Sequence, residues 1–446
     1  MLALLPLALL CELFALVMRQ PALSVTSGIL LTAFFVWHWR SLMPYPSRLG
    51  LVTLALLAYW LLSGEASWPQ VQRMLASAAY YGAFVGALGL MHCLVRRLQQ
   101  FDALHRLLLA GPSAGLYPSY LLSSFAISSI LSFGMLNLVC GSLDRHLQRH
   151  GHAEEARREG SRGVMVAALR GFALVPLLAP TSVAVAILTR ELPGLSWAHL
   201  LPFGLLAATV LLLIGWRLDN HRLQRLREAG AAQPSAASAG QPGMRRLVLA
   251  SLLGILAIAL LATFSWLSAT QAAMLLVPLA VIVTLLGWGE RPAAVYGEVR
   301  DTLAGMRNET FIFANSAVLA GLVAALVPVQ AIAGHLGVTP LLSFFLGLLG
   351  MLAIIGLALL GVAPIVSLSL CTALLAQLGG HGIPTMQPAV ALLTGFSLAM
   401  LLSPYGPSAL MLARHAGLSP WRIAFGWNGR FVLLALGPLM LVPLLA

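Results

Sequence analysis

Two segments of this chain are copies of one another, and each is a long apolar run interrupted in its middle. Residues 171–197 read GFALVPLLAPTSVAVAILTRELPGLSW, and residues 395–421 read GFSLAMLLSPYGPSALMLARHAGLSPW. Gly171 matches Gly395, Pro180 matches Pro404, Arg190 matches Arg414 and Trp197 matches Trp421, each pair 224 residues apart in a chain of 446. A proline inside a helix removes a backbone hydrogen bond and clashes with the preceding turn. In Ser403-Pro404-Tyr405-Gly406-Pro407-Ser408, two prolines and a glycine exclude a continuous helix. A break recurring at one place in both halves points to a duplicated architecture with broken helices, in which such segments mark the substrate site of a secondary transporter.

The surroundings of these segments are apolar along the whole length. With 59% hydrophobic and 9% charged residues and a mean hydropathy of +0.90, the chain reads as an all-α polytopic membrane protein. The apolar run at the N-terminus starts at Leu2 with no basic stretch before it, unlike a cleaved signal. Cys11, Cys93, Cys140 and Cys371 all fall in apolar segments without metal-ligand or disulfide spacing, so they read as small packing residues. The net charge is +12 and all 26 basic residues are arginine. No soluble domain is large enough to bind nucleic acid, so that charge reads as the positive-inside rule.

Apolar runs of roughly 17–25 residues place crossings at 2–18, 21–37, 49–63, 74–95, 163–190, 196–216, 247–268, 270–288, 309–328, 386–413 and 421–443. Two further apolar stretches, 107–143 and 340–378, are rich in Ser and Gly. Arginines concentrate in the loops near 38–48, 96–106, 144–162, 217–246 and 289–307, while the opposite loops hold only Arg19, Arg73 and Arg190. The arginine-rich loops share one side only if 107–143 returns to the side it came from, as a re-entrant hairpin or two short crossings. The same parity makes 340–378 re-enter from outside. The expected organisation is about eleven transmembrane helices plus two hairpins: an extra span at 1–20, a first repeat at 21–216, a flexible Ala/Ser/Pro/Gly-rich cytoplasmic linker at 217–246, and a second repeat at 247–446. Five crossings and one hairpin per repeat turn the copies upside down relative to each other. The N-terminus is then cytoplasmic.

Small residues at the hairpins permit tight reversal and close packing, and non-helical backbone at membrane depth survives only in protein or along a cavity. Candidate substrate groups are therefore Ser129, Ser132, Gly134 and Asn137 in the first hairpin, and Gly361, Pro364 and Ser367 in the second. The breaks add Pro180, Thr181 and Ser182, and Ser403, Pro404, Tyr405, Gly406 and Ser408. A half-helix starting after each break presents free N–H groups suited to an anion or polar oxygen. Other isolated polar residues are Glu12 in the first span, His38 and His92 near span ends, and Glu309 and Asn315 in the span 309–328. Arg430, in Trp427-Asn428-Gly429-Arg430, either snorkels to the interface or faces the cavity and binds a carboxylate.

A hairpin followed by a span broken at a Thr/Ser-Pro motif, repeated inverted, resembles the ion transporter superfamily, and in architecture most resembles its divalent anion–sodium symporters. The resemblance covers most of residues 74–443. Where that branch carries Ser-Asn-Thr at its hairpin tips, this chain has Ser132-Phe133-Gly134 and Gly361-Val362-Ala363-Pro364. Its Gly-Thr-Pro-Pro-Asn breaks resemble Ala179-Pro180-Thr181-Ser182 and Ser403-Pro404-Tyr405-Gly406. Gluconate, lactate and arsenite carriers share the architecture.

The expected function is secondary active transport, as a symporter, of a small solute, an organic anion, by alternating access. No P-loop is present for direct ATP drive, and no catalytic residue, metal or cofactor is expected. The coupling ion is H+ or Na+, with Glu309 and Asn315 as ion-coupling candidates. Expected partners are the small-molecule substrate, the lipid bilayer and, in a homodimer, a second copy of the chain. A bacterial inner membrane is the expected location. The alternatives are a membrane subunit of a binding-protein-dependent carrier and an integral membrane enzyme acting on a lipid-linked substrate.

Overall fold

The computed structural model describes residues 3–64, 66–95, 97, 113–131, 136, 139–143, 154–230, 242–329 and 339–446. Every regular element among them is helical, and nine of the helices are long and apolar enough to cross a membrane. Shorter apolar helices accompany them at Leu4–Met18, Pro21–Trp37, Leu252–Phe264 and Pro364–Gly380. The protein is an all-helical polytopic membrane protein.

The first half begins with α1 (Leu4–Met18), α2 (Pro21–Trp37), α3 (Pro44–Leu62), α4 (Trp68–Gly89) and the short α5 (Met91–Val95). Then come α6 (Leu116–Leu131), α7 (Glu154–Ala173), α8 (Val175–Leu178), α9 (Val183–Glu191) and α10 (Trp197–Gly230). The second half has α11 (Pro242–Phe264), α12 (Ala269–Gly287), α13 (Pro292–Gly305), α14 (Arg307–Leu326), α15 (Pro340–Leu359), α16 (Pro364–Gly380), α17 (Met386–Leu402), α18 (Pro407–Ala416) and α19 (Asn428–Leu441). Local chemistry sets many starts: Ser67 and Ser268 form capping boxes with Gln70 and Gln271, Thr339 caps α15, and proline opens α2, α3, α13, α16 and α18.

Two elements depart from the hydropathy reading. α10 does not stop where the apolar run ends but continues through the basic stretch to Gly230. At 34 residues it is about 50 Å long, more than the roughly 30 Å hydrocarbon layer. The stretch WRLDNHRLQRLRE is polar but helix-favouring, and Arg222 pairs with Asp219 one turn away. Hydropathy detects the end of the bilayer, not the end of the helix. The segment 289–307, read as a loop, forms α13. It is held at its surface by Arg97, which bridges Glu290 (2.9 Å) and Glu298 (2.6 Å).

α15 shows how the elements sort between lipid and protein. Leu341, Phe345, Leu349 and Leu352 form an exposed stripe at helical spacing. The opposite stripe, Ser343, Gly347, Met351, Ile354 and Ala358, packs against α17. Near the centre, Ser397 Oγ donates to the Ala173 carbonyl at 2.6 Å, joining α17 to α7 across 224 positions. That separation is the spacing of the sequence repeat, so equivalent points of the two broken spans touch each other. Helix starts follow the same spacing: Leu116 with Pro340, Val183 with Pro407.

Candidate functional site

Both breaks are real interruptions: the first lies against α6 and the second against the turn between α15 and α16. In the first half the helix ends at Leu178 and restarts at Val183. Ala179, Pro180, Thr181 and Ser182 are all buried. The exposed backbone groups find partners, as membrane depth requires. The Trp197 indole N–H donates to the Leu178 carbonyl (3.1 Å). The Thr181 hydroxyl donates to the Ser129 carbonyl of α6. Ser182 caps α9 by accepting from the Ala184 N–H at 3.2 Å. Ser129 turns its own hydroxyl back to the Ala126 carbonyl. Ser132, Gly134 and Asn137 lie outside the described residues.

The second break is built differently. Gly406 N–H donates to the Ser403 carbonyl at 3.2 Å, closing a turn over Pro404 and Tyr405. Ser403, Pro404, Gly406 and Ser408 are buried, whereas Tyr405 is 53% exposed. Tyr405 meets Trp421 edge to face, ring centroids 5.8 Å apart. Its ring also lies against Gly361, whose φ of +95° favours glycine and where an added Cβ would sit 3.4 Å from the ring. Gly361 is in the turn between α15 and α16, so Tyr405 joins the second break to that turn. Trp197 and Trp421 thus each close over the break of their own half.

A cavity large enough for a small solute lies beside the breaks rather than between them. It measures about 240 Å³ and is enclosed by α4, α9, α14 and α16. Gln70, Arg73, Ser77 and Tyr81 line it from α4, and Ile187 and Glu191 from α9. Ser369 and Gln377 line it from α16, and α14 contributes alanines and Gly321. Tyr81 donates its hydroxyl to Glu191 Oε1 at 2.7 Å. Arg73 has no ion pair or hydrogen bond with any described residue. Ser369 Oγ is buried without a partner, as are Ser367 Oγ and Thr372 Oγ1 on the same helix. Among the candidate substrate groups named from the sequence, only Ser367 comes near this cavity, two residues from Ser369. Arg73 and Glu191 escape sequence reading because each sits at a helix end, where a charge is ordinary. Only packing shows that they share one volume.

Comparison with known proteins adds a structural likeness. No family model matches the chain, and no curated protein matches it. Among solved structures, the crystal structure of the Alcanivorax borkumensis YdaH transporter, reported to reveal an unusual topology, is similar over 93% of this chain and 97% of that one. The two share 17% identity at a TM-score of 0.49.

The other polar candidates divide between packing and open positions. Asn315 donates to Thr53 of α3 at 2.8 Å. Glu309, in the first turn of α14, has Oε2 buried without a partner. Glu12 is fully buried, one oxygen accepting from Ser24 at 2.5 Å and the other unpartnered. Arg190 lies 4.2 Å above the Tyr80 ring. Arg430 is exposed. Its neighbours Trp427 and Asn428 instead serve Arg170, which sequence reading overlooks. Arg170 is 2% exposed and bonds Asp219 at 2.7 Å, Asn428 Oδ1 at 3.2 Å and the Trp427 carbonyl at 3.3 Å. Its guanidinium also lies 3.8 Å from the Phe431 ring centroid. An arginine in the apolar run 163–190 was the available signal.

Proposed function

We propose that this protein is a secondary active transporter that moves a small organic anion by alternating access, coupled to an ion. The observation that carries this reading is the pairing of two broken spans at a fixed spacing of 224 residues, which touch at Ala173 and Ser397. Broken helices in matching positions of two halves are how carriers build a solute path at membrane depth. The half-helices α9 and α18 restart in protein surroundings, where their free N–H groups favour a polar or anionic ligand. The anion and a proton travel together, with Glu309 as the proton-carrying residue; sodium is the alternative coupling ion. In this reading the two halves are inverted repeats, and the architecture is that of the ion transporter superfamily.

Purified protein in proteoliposomes tests it. Carboxylates, sulfonates and amino acids are offered under imposed proton or sodium gradients. Gradient-driven accumulation of at least one solute, absent from protein-free vesicles, is the expected result. If no gradient drives uptake or exchange of any of these solutes, the transport reading fails.

A further inference from the structure

We propose that the cavity between α4, α9, α14 and α16 binds a small zwitterion, a solute carrying one carboxylate and one ammonium group. This rests on the transport reading for its role and narrows the transported solute from a carboxylate in general to one that also carries an ammonium group. Arg73 and Glu191 line the same space of about 240 Å³. They are not paired with each other: Glu191 bonds Tyr81, and Arg73 has no partner among the described residues. Arg73 is exposed and Glu191 half-buried, so two opposite charges border one cavity without meeting each other. A ligand bearing the complementary pair satisfies both.

The chemistry assigns the ends. Arg73 presents a planar fork of donors that matches a carboxylate. Glu191 is held in place through Oε1 by the Tyr81 hydroxyl, which leaves Oε2 free to accept from an ammonium. A simple anion would meet Arg73 but be repelled by Glu191, and a simple amine would meet the reverse. Ser369 also lines the cavity; it is 3% exposed, and its hydroxyl is buried without a partner. The floor is made of methyl groups and bare backbone from Ala317, Ala320, Gly321 and Ala324 of α14 and Ala373 and Ala376 of α16. It offers apolar contact to a short side chain and no further charge. The volume falls just below the usual range of ligand pockets, roughly 300–1,000 Å³. A volume of about 240 Å³ accommodates an amino acid.

Thermal unfolding of the purified full-length protein tests the assignment. The probes are the common amino acids, the matching acids without the amino group, and the matching amines without the carboxylate. At least one amino acid should raise the unfolding temperature saturably, with its deaminated and decarboxylated analogues binding at least tenfold more weakly. Arg73→Ala should weaken that amino acid at least tenfold and erase the preference over the amine. Glu191→Gln should weaken it similarly and erase the preference over the deaminated acid. Should Glu191→Gln misfold through loss of its bond to Tyr81, the analogue comparison on the unaltered protein decides alone. A deaminated acid binding as tightly as its amino acid, or no stabilisation by any amino acid, overturns the zwitterion site. Proteoliposomes separate the two readings: continued uptake of an organic anion leaves the transporter standing without this site, and absence of all uptake removes both.

Discussion

Arg170 shows what one residue costs and contributes at membrane depth. Its charge is tolerated because Asp219, Asn428 and the Trp427 carbonyl surround it. Removing one partner of a buried ion pair strands the other charge, at about 3–5 kcal/mol, whereas replacing both with apolar residues is often neutral. Asp219 keeps Arg222 as a second partner, so Asp219→Leu, which strands the buried Arg170, is expected to destabilise the protein by about that amount, and Asp219→Leu with Arg170→Leu to recover most of it. Unfolding in detergent measures both; equal losses in the single and double variants would show that the pair is not the source of the penalty. Glu309 carries the second residue-scale prediction. Its partly buried carboxylate, with one oxygen buried without a partner, makes it the coupling candidate, so Glu309→Gln should abolish pH-driven uptake and leave solute exchange largely intact. Uptake that needs sodium and survives the substitution reassigns the ion.

At the scale of elements, the broken spans are fixed to the helices beside them by contacts that admit little substitution. An added Cβ at Gly171 would lie 2.4 Å from the Leu121 carbonyl of α6, and one at Gly395 would lie 2.8 Å from Met351 Cα of α15. The matched glycines of the sequence repeat thus do the same work in both halves: they let a neighbouring backbone approach the broken span. Gly171→Ala and Gly395→Ala should each cost about 1–3 kcal/mol through overpacking against a rigid main chain, read as lower unfolding temperatures. Thr181→Val removes the hydroxyl that satisfies the Ser129 carbonyl and should cost about 1–3 kcal/mol for a buried acceptor left without its donor. Unchanged stability of Thr181→Val would mean that another group satisfies that carbonyl.

For the whole molecule, the prediction is orientation. If the halves are inverted repeats, cysteines placed in the segment 217–246 label only from the cytoplasm and those at 379–385 only from outside. Labelling of both from one face would remove the inversion and with it the alternating-access reading.

Membrane burial, the positions of both breaks and the approximate spans were legible in the sequence, because each rests on a local property. Apolar runs of bilayer length and prolines inside them act through the few residues around them. The 224-residue spacing was legible too, since a repeat is a statement about sequence. The end of α10 was not, because polar residues leave the bilayer without leaving the helix. The cavity was not, because Arg73, Glu191 and Ser369 come from three helices and nothing in their spacing says that they meet. The pairing of Arg170 with Asp219, 49 residues on, belongs to the same class. Local chemistry determined where the chain turns helical and where it breaks; only side-chain packing in three dimensions decided which charges share one space and which neutralise each other.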